Sequence, residues 1–101
     1  MNTIIARIKI KEGKEAEAEA ALKKMADGVE ANEPGTLAYV IHKSMDDPSE
    51  IVFFELYKDD DAAKAHSGGD SMKAFQSGFA EIFDVSQVKI ERLERIAGVL
   101  R

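Results

Sequence analysis

The sequence predicts an α+β fold with a four-stranded antiparallel sheet and both helical regions on one face. Residues 3–10, 36–43, 51–58 and 86–94 alternate side chains at the period of a strand. Two helical regions separate the first strand from the second and the third from the fourth. The connection between the middle strands is too short for a crossover, so they form an antiparallel hairpin. The order β-α-β-β-α-β is the ferredoxin-like split βαβ arrangement.

The first helical region has one apolar stripe and ends at Pro34-Gly35. The stripe consists of Ala18, Leu22, Met25 and Val29. Asp59 or Asp60 is expected to cap a short helix that runs to Ala65 or His66.

A break at residues 67–69 follows this short helix. Asp70 or Ser71 is then expected to cap a second helical piece. Its core-facing side chains are Met72, Phe75, Phe79 and Ile82.

Composition limits the classes of protein that this chain can represent. A length of 101 residues fits one domain, here residues 1–95, followed by a short tail, 96–101. The net charge of −5 argues against nucleic-acid binding, which needs a basic face. We expect no membrane span and no signal peptide, since no apolar run is long enough and the N-terminus lacks a basic segment. Cysteine is absent, which excludes disulfides and fits a cytoplasmic location.

The third strand is apolar on both faces. One face carries Ile51, Phe53, Glu55 and Tyr57, and the other carries Val52, Phe54 and Leu56. The helices can cover only one face, and little chain remains to cover the other. We therefore expect a homodimer that forms through the sheet.

Several kinds of site are disfavoured by residue type and spacing. Neither His42 nor His66 has a second metal ligand at helical spacing, so no metal site is predicted. Gly68-Gly69 follows a helix and lacks the lysine of a phosphate-binding loop. No serine lies in a nucleophile-elbow sequence. His42, near a strand end beside Lys43, is expected at the surface.

Glu55 and His66 are the candidates for chemistry. Glu55 in an apolar pocket would have a raised pKa suited to proton transfer; alternatively it pairs with a cation such as Arg7 and only fixes strand register. His66, near Ala62 and Ala65, either faces a ligand or caps its helix. Aromatic side chains nearby are candidates for core or for pocket lining: Tyr39, Tyr57, Phe75 and Phe79.

Residues 33–75 resemble the antibiotic biosynthesis monooxygenase family, including its quinol-monooxygenase-like members. The shared features are the Pro-Gly turn, the acidic Asp-Pro hairpin loop, the aromatic strand with Glu55, the acidic helix start, Ala65-His66 and Lys73-Ala74-Phe75. The resemblance covers nearly the whole domain but not the tail.

The resemblance implies a dimeric α+β barrel with a pocket between sheet and helices in each subunit. Family members of known activity oxidise quinols, anthrones or similar polyphenols with molecular oxygen, without flavin, haem or metal. It implies that His66 and Glu55 handle protons or hydrogen-bond the substrate. It also implies that the lining consists of Tyr39, Tyr57, Phe75 and Phe79.

The chain departs from its relatives at two places. Many relatives carry a second histidine shortly after the first, where this chain has Ser71 and Met72. Haem-degrading relatives use an asparagine, a tryptophan and a histidine. This chain has no tryptophan, Ala6 stands at the asparagine position and His66 stands near the tryptophan position. Haem degradation is therefore disfavoured.

The leading hypothesis is a cofactor-independent monooxygenase that oxidises a quinol-like or polyphenolic aromatic with molecular oxygen, acting as a homodimer. An alternative is an isomerase or lyase that acts on a small metabolite with Glu55 and His66 as acid and base. A third is a non-catalytic dimer that binds a small molecule. The fold alone does not choose among them.

Overall fold

A computed structural model describes all 101 residues and confirms the predicted ferredoxin-like order. The strands are β1 (Asn2–Lys9), β2 (Thr36–Lys43), β3 (Glu50–Tyr57) and β4 (Lys89–Leu93). The helices are α1 (Glu15–Asn32), α2 (Asp60–Ser67), α3 (Asp70–Ser77) and α4 (Phe79–Ile82). None of these helices is long and apolar enough to cross a membrane.

The four strands form one antiparallel sheet in the order β2-β3-β1-β4. The inner face lies under the helices and includes Ile8, Ile51 and Phe53, which belong to the hydrophobic core. As predicted, Ala18, Leu22, Met25 and Val29 of α1 are buried.

The outer face of the sheet has no helix on it. It carries Val52 and Phe54 of β3, both half-buried, and Val40 of β2, which is 47% exposed. The two-faced apolar pattern of β3 is therefore real: on its outer side Leu56 is buried, whereas Val52 and Phe54 are only partly covered within the single subunit.

Three local predictions were wrong. The second helical piece is not continuous to Ile82, because it breaks at Gly78 into α3 and α4. Gly69, in an extended conformation, precedes α3 as its N-cap, and neither Asp70 nor Ser71 caps it. The last strand begins at Lys89, because a 3₁₀ turn occupies Val85–Gln87.

The turn and the caps have local causes. The Asp84 carboxylate accepts a hydrogen bond from the backbone N–H of Ser86 and so fixes the 3₁₀ turn. Asp59 caps α2 as predicted, accepting from the N–H of Ala62 at 2.8 Å. The cap sets where α2 begins and thereby where His66, in its last turn, lies over the sheet.

Phe83 joins α4 to the core and gives a test of the fold. It is fully buried (0% exposed), stacks on Phe79 and forms a bridge with Ile10. Phe83→Ala should lower the free energy of unfolding by about 3–5 kcal/mol, because it leaves a cavity in the core. Urea unfolding at one fixed protein concentration measures the loss. Val85→Ala, at an exposed site, should stay within about 0.5 kcal/mol of wild type, and an equal loss there would contradict this interpretation.

Candidate active site

A cavity of about 950 Å³ lies between the inner face of the sheet and the helices α2, α3 and α4. Its lining is mostly hydrophobic, with 14 apolar residues among 24. The helices do not cover β4, so Val88 and Ile90 line the cavity and are exposed. The cavity is therefore closed at β3 and open at β4.

Glu55 lies in the middle of β3 and is 7% exposed. The Tyr57 hydroxyl donates a hydrogen bond to its Oε1 at 2.5 Å. Burial raises the pKa of Glu55, while the Tyr57 hydrogen bond and the nearby His66 oppose that rise. Glu55 therefore occupies the inner face of the sheet, toward the helices and the cavity.

The alternative that Glu55 pairs with Arg7 is wrong. Glu55 is in register with Ile4, whereas Arg7 is in register with Val52. Side chains alternate between the faces of a strand, so Arg7 lies on the outer face.

His66 is 4% exposed and lies between two tyrosine rings. The ring centroid of Tyr39 is 5.0 Å from that of His66, and the centroid of Tyr57 is 5.4 Å away. Burial raises the pKa of both phenols, so they remain protonated hydrogen-bond donors at neutral pH. The Nε2 of His66 lies 4.0 Å from Oε1 of Glu55.

Glu33 completes the cluster, and sequence reasoning missed it. Its Oε1 is 2.7 Å from the Nδ1 of His66, and its side chain is only 9% exposed. The Thr36 hydroxyl donates to the same oxygen at 3.3 Å. A carboxylate cannot donate, so Nδ1 carries the hydrogen and donates to Glu33. In neutral His66 the lone pair is then on Nε2, which can act as a base.

The sequence did contain a signal for Glu33. It follows the last residue of α1, where the negative end of the helix dipole disfavours a carboxylate. A glutamate at such a position suggests a cationic or donor partner elsewhere in the chain.

A cluster of phenylalanines forms the opposite end of the cavity. Phe75 packs edge-on to Phe53 with ring centroids 6.5 Å apart, and Phe79 stacks on Phe83 at 4.9 Å. All four predicted lining residues lie in the cavity wall, together with Glu55 and His66: Tyr39, Tyr57, Phe75 and Phe79. The structure thus brings the six residues to one cavity, while their roles stay predictions.

The remaining candidates lie elsewhere. His42 is exposed at the surface, as predicted. Where relatives carry a second histidine, Met72 lines the cavity and Ser71 faces α1, where a side chain at Gly28 would collide with it. No three His, Cys, Asp or Glu side chains lie close enough to hold a metal ion.

Comparisons with known proteins agree on one family. The sequence model of the antibiotic biosynthesis monooxygenases matches residues 1–78. No curated protein is significantly similar to the chain.

Many solved structures share the fold. A Caulobacter crescentus protein, whose name places it among antibiotic biosynthesis monooxygenases, is 31% identical with a TM-score of 0.87, covering 95% of this chain and 90% of that one. A Pseudomonas aeruginosa protein is 27% identical with a TM-score of 0.84, covering 95% and 94%. A Mycobacterium tuberculosis protein is 22% identical with a TM-score of 0.86, covering 98% of each chain, and shows the fold alone.

The burial of Glu55 makes a testable prediction about stability and pH. Its folded pKa is raised above the ordinary value of 4.5, so the folded state binds the proton more tightly than the unfolded state. Glu55 therefore makes its full contribution to the free energy of unfolding below about pH 4.5. That contribution is lost as the pH rises through the pKa of Glu55 in the folded state. Glu55→Gln keeps an acceptor for Tyr57 and removes the titration. The free energy of unfolding of Glu55→Gln, relative to that of wild type, should therefore rise with pH. The total rise should be about 1.4 kcal/mol for each tenfold difference in the proton affinity of Glu55 between the folded and unfolded states.

Urea unfolding of both proteins between about pH 4 and 8 measures this difference. Glu30→Gln, at an exposed site on α1, is the matched control and should follow the wild-type profile. Parallel profiles for Glu55→Gln and wild type would show that Glu55 is not buried as described.

Proposed function

Because the chain belongs to the antibiotic biosynthesis monooxygenase family, we propose that it oxidises a quinol-like or polyphenolic aromatic with molecular oxygen and without a cofactor. Family membership supports a monooxygenase in general, and the site supports the finer statement. The observation that carries it is the position of His66 in the wall of a largely apolar cavity, with Nδ1 bonded to Glu33 and Nε2 4.0 Å from the Glu55 carboxylate. We also propose a cytoplasmic location, where reducing conditions keep hydroquinones reduced.

The first step is removal of a phenolic proton. A substrate hydroxyl within the cavity donates its proton to Nε2 of His66. The Glu33 carboxylate, 2.7 Å from Nδ1, stabilises the imidazolium that forms. Glu33 contacts His66 and is not among the residues that line the cavity, so it is a positioning residue. Tyr39, as a protonated phenol beside His66, can donate a hydrogen bond to the resulting phenolate, whereas the Tyr57 hydroxyl already donates to Glu55.

The second step is the reaction of the phenolate with oxygen. The electron-rich anion transfers one electron to O₂, and the resulting radical pair combines to form a carbon–oxygen bond and a peroxide anion. Protonation of the peroxide by the substrate's second hydroxyl or by His66 gives a hydroperoxide. Loss of the C–H proton then breaks its O–O bond, leaving a carbonyl and hydroxide, which leaves as water after taking a proton. The substrate thus gains one oxygen atom, and the second leaves as water.

The apolar wall suits this sequence. Water in the cavity would compete with the substrate for the Tyr39 hydroxyl and would weaken electrostatic interactions, so a dry surface strengthens each polar contact. The phenylalanine cluster supplies that surface beside Phe53. An aromatic substrate can pack against it edge-to-face.

Oxygen consumption with reduced menadione as a representative hydroquinone tests the proposal. His66→Ala should lower kcat by a factor of about 100 or more, because general acid–base catalysis contributes about that much. Glu33→Gln keeps an acceptor but loses the charge, so it should lower kcat by a factor of about 10 with little change in KM. His42→Ala, the surface histidine, is the control and should match wild type.

The outcomes separate the alternatives. No turnover above autoxidation across a broad hydroquinone panel would overturn the proposal. Turnover of a small metabolite without oxygen, abolished by Glu55→Gln, would instead favour an isomerase or lyase. Ligand binding that survives every substitution without any turnover would favour a non-catalytic binding protein.

We propose that the protein acts as a homodimer joined through the outer face of its sheet. Support comes from the uncovered apolar side chains of that face, Val40, Val52 and Phe54. Arg7 lies among them, and its buried Nη1 has no hydrogen-bond partner within the subunit. A second subunit would cover the apolar surface and could supply an acceptor.

Charge placed on the outer face tests the dimer. Val40→Asp and Phe54→Asp should each shift the mass measured by light scattering from dimer toward monomer, because a dimer would bury the carboxylate. Val85→Asp, at an exposed apolar residue in the 3₁₀ turn, should leave the mass unchanged. A wild-type monomer across the whole concentration range would overturn the proposal.

A further inference from the structure

The open side of the cavity carries a cationic side chain, Arg92, in the same cross-strand row as Glu55. Tyr39 pairs with Glu55, Glu55 with Ile4, and Ile4 with Arg92, so these four residues form one row across the inner face. Neighbouring strands lie about 4.8 Å apart, so the backbones of Glu55 and Arg92 are about 10 Å apart. Arg92 lines the cavity on β4, the strand that no helix covers.

Arg92 has no acidic partner in the subunit. The chain has a net charge of −5 and many available carboxylates, yet Arg92 forms none of the ion pairs present. Lys64 of α2 also lines the cavity and also lacks an ionic partner. Besides Glu55, two carboxylates line the cavity: Asp60 accepts a hydrogen bond from Asn2, and Glu94 lies beyond the end of β4 without an ion pair.

We propose that the substrate is an aromatic acid: a phenolic ring system with a carboxylate or comparable oxyanion at the end opposite the reacting hydroxyl. Arg92 binds the acidic group while the hydroxyl lies at His66. This inference rests on the proposed function for the identity of the reacting end. Arginine has only donors, arranged as a fork that matches a carboxylate, so an anion is the ligand it fits. Lys64 adds a second positive charge at the cavity wall.

Since Nε2 of His66 lies 4.0 Å from the Glu55 carboxylate, the reacting hydroxyl lies near the Glu55 end of the row, and the length of the row selects the size of the ligand. A single ring with adjacent substituents would be too short to contact both ends, whereas two fused rings span a comparable distance. The apolar lining between the ends consists of Ile4, Ala6 and Phe53 on the sheet. These side chains would pack on the ring faces and offer no competing polar group.

Two isosteric probes test the proposal without any turnover. The first, 6-hydroxy-2-naphthoate, carries a phenol at one end and a carboxylate at the other, and the second, 6-hydroxy-2-naphthamide, is neutral. Isothermal titration calorimetry on the full chain should show tighter binding of the naphthoate. Arg92→Gln should weaken naphthoate binding at least about fivefold and change naphthamide binding less than about twofold, since a charge-assisted hydrogen bond is lost only for the acid.

Matched variants separate the effect of losing the Arg92 charge from the effect of disturbing the fold. Arg95→Gln removes an exposed arginine outside the cavity lining and should leave both affinities unchanged. Arg92→Glu should reverse the preference, so that a cationic 6-hydroxy-2-naphthylmethylamine binds more tightly than the naphthoate. Urea unfolding of each variant checks that the fold is retained, as expected for an exposed side chain.

The failure of this inference is distinct from failure of the proposed oxidation, because binding needs no oxygen. Equal losses for acid and amide in Arg92→Gln would overturn it, as would wild-type protein that prefers the amide or fails to bind the naphthoate. Retained naphthoate selectivity without hydroquinone oxidation would keep Arg92 as an acid-binding residue and reject only the oxidase chemistry.

Discussion

Glu33 lies just past the end of α1, where the helix dipole disfavours a negative charge, and its side chain is nevertheless buried. The hydrogen bond to Nδ1 of His66 compensates both costs. In return the carboxylate fixes the tautomer of the ring, so in the neutral form Nε2, 4.0 Å from the Glu55 carboxylate, carries the lone pair. This one contact constrains the position of α2, the turn at Pro34-Gly35 and the start of β2.

The neighbouring polar groups follow from the same constraint. A buried histidine and two buried carboxylates are tolerable only when hydrogen bonds satisfy them. Tyr57 donates to Glu55, and Thr36 donates to Glu33. The cluster therefore forms one connected network on the inner face of β2 and β3, and the phenylalanines keep the rest of the cavity apolar. Such an arrangement brings an imidazole, two carboxylates and phenolic donors together beside a largely apolar wall.

Much of this architecture is predictable from local patterns. The α1 stripe of Ala18, Leu22, Met25 and Val29 and the Asp59 cap depend on neighbours close in sequence, and both were predicted correctly. The break at Gly78 was missed because a glycine in a helix costs only about 1 kcal/mol, too little to locate a break from sequence. The N-cap at Gly69 was missed because Asp70 and Ser71 are both stronger capping types.

The site was harder to predict than the fold, because some of its residues are distant in sequence and meet only in the folded chain. Glu55 and His66 could be proposed because their local surroundings are unusual: a carboxylate in an aromatic strand and a histidine among alanines. The partner of His66, by contrast, is Glu33, and the two are brought together only when α2 folds over the β2 edge of the sheet. Arg92 likewise joins the row only through the pairing of β1 with β4.

The open wall at β4 has a consequence for how such a protein can diversify. The polar cluster of Glu55, His66 and Glu33 lies on β3, on α2 and at the end of α1. Val88, Ile90 and Arg92 instead lie at an edge of the sheet that contributes no residue to the hydrophobic core. Substitutions on that edge can alter the shape and charge offered to a ligand at little cost in folding free energy. Under the proposed function, ligand choice and proton transfer would thus be carried by separate parts of the chain, and selection could change the first while preserving the second.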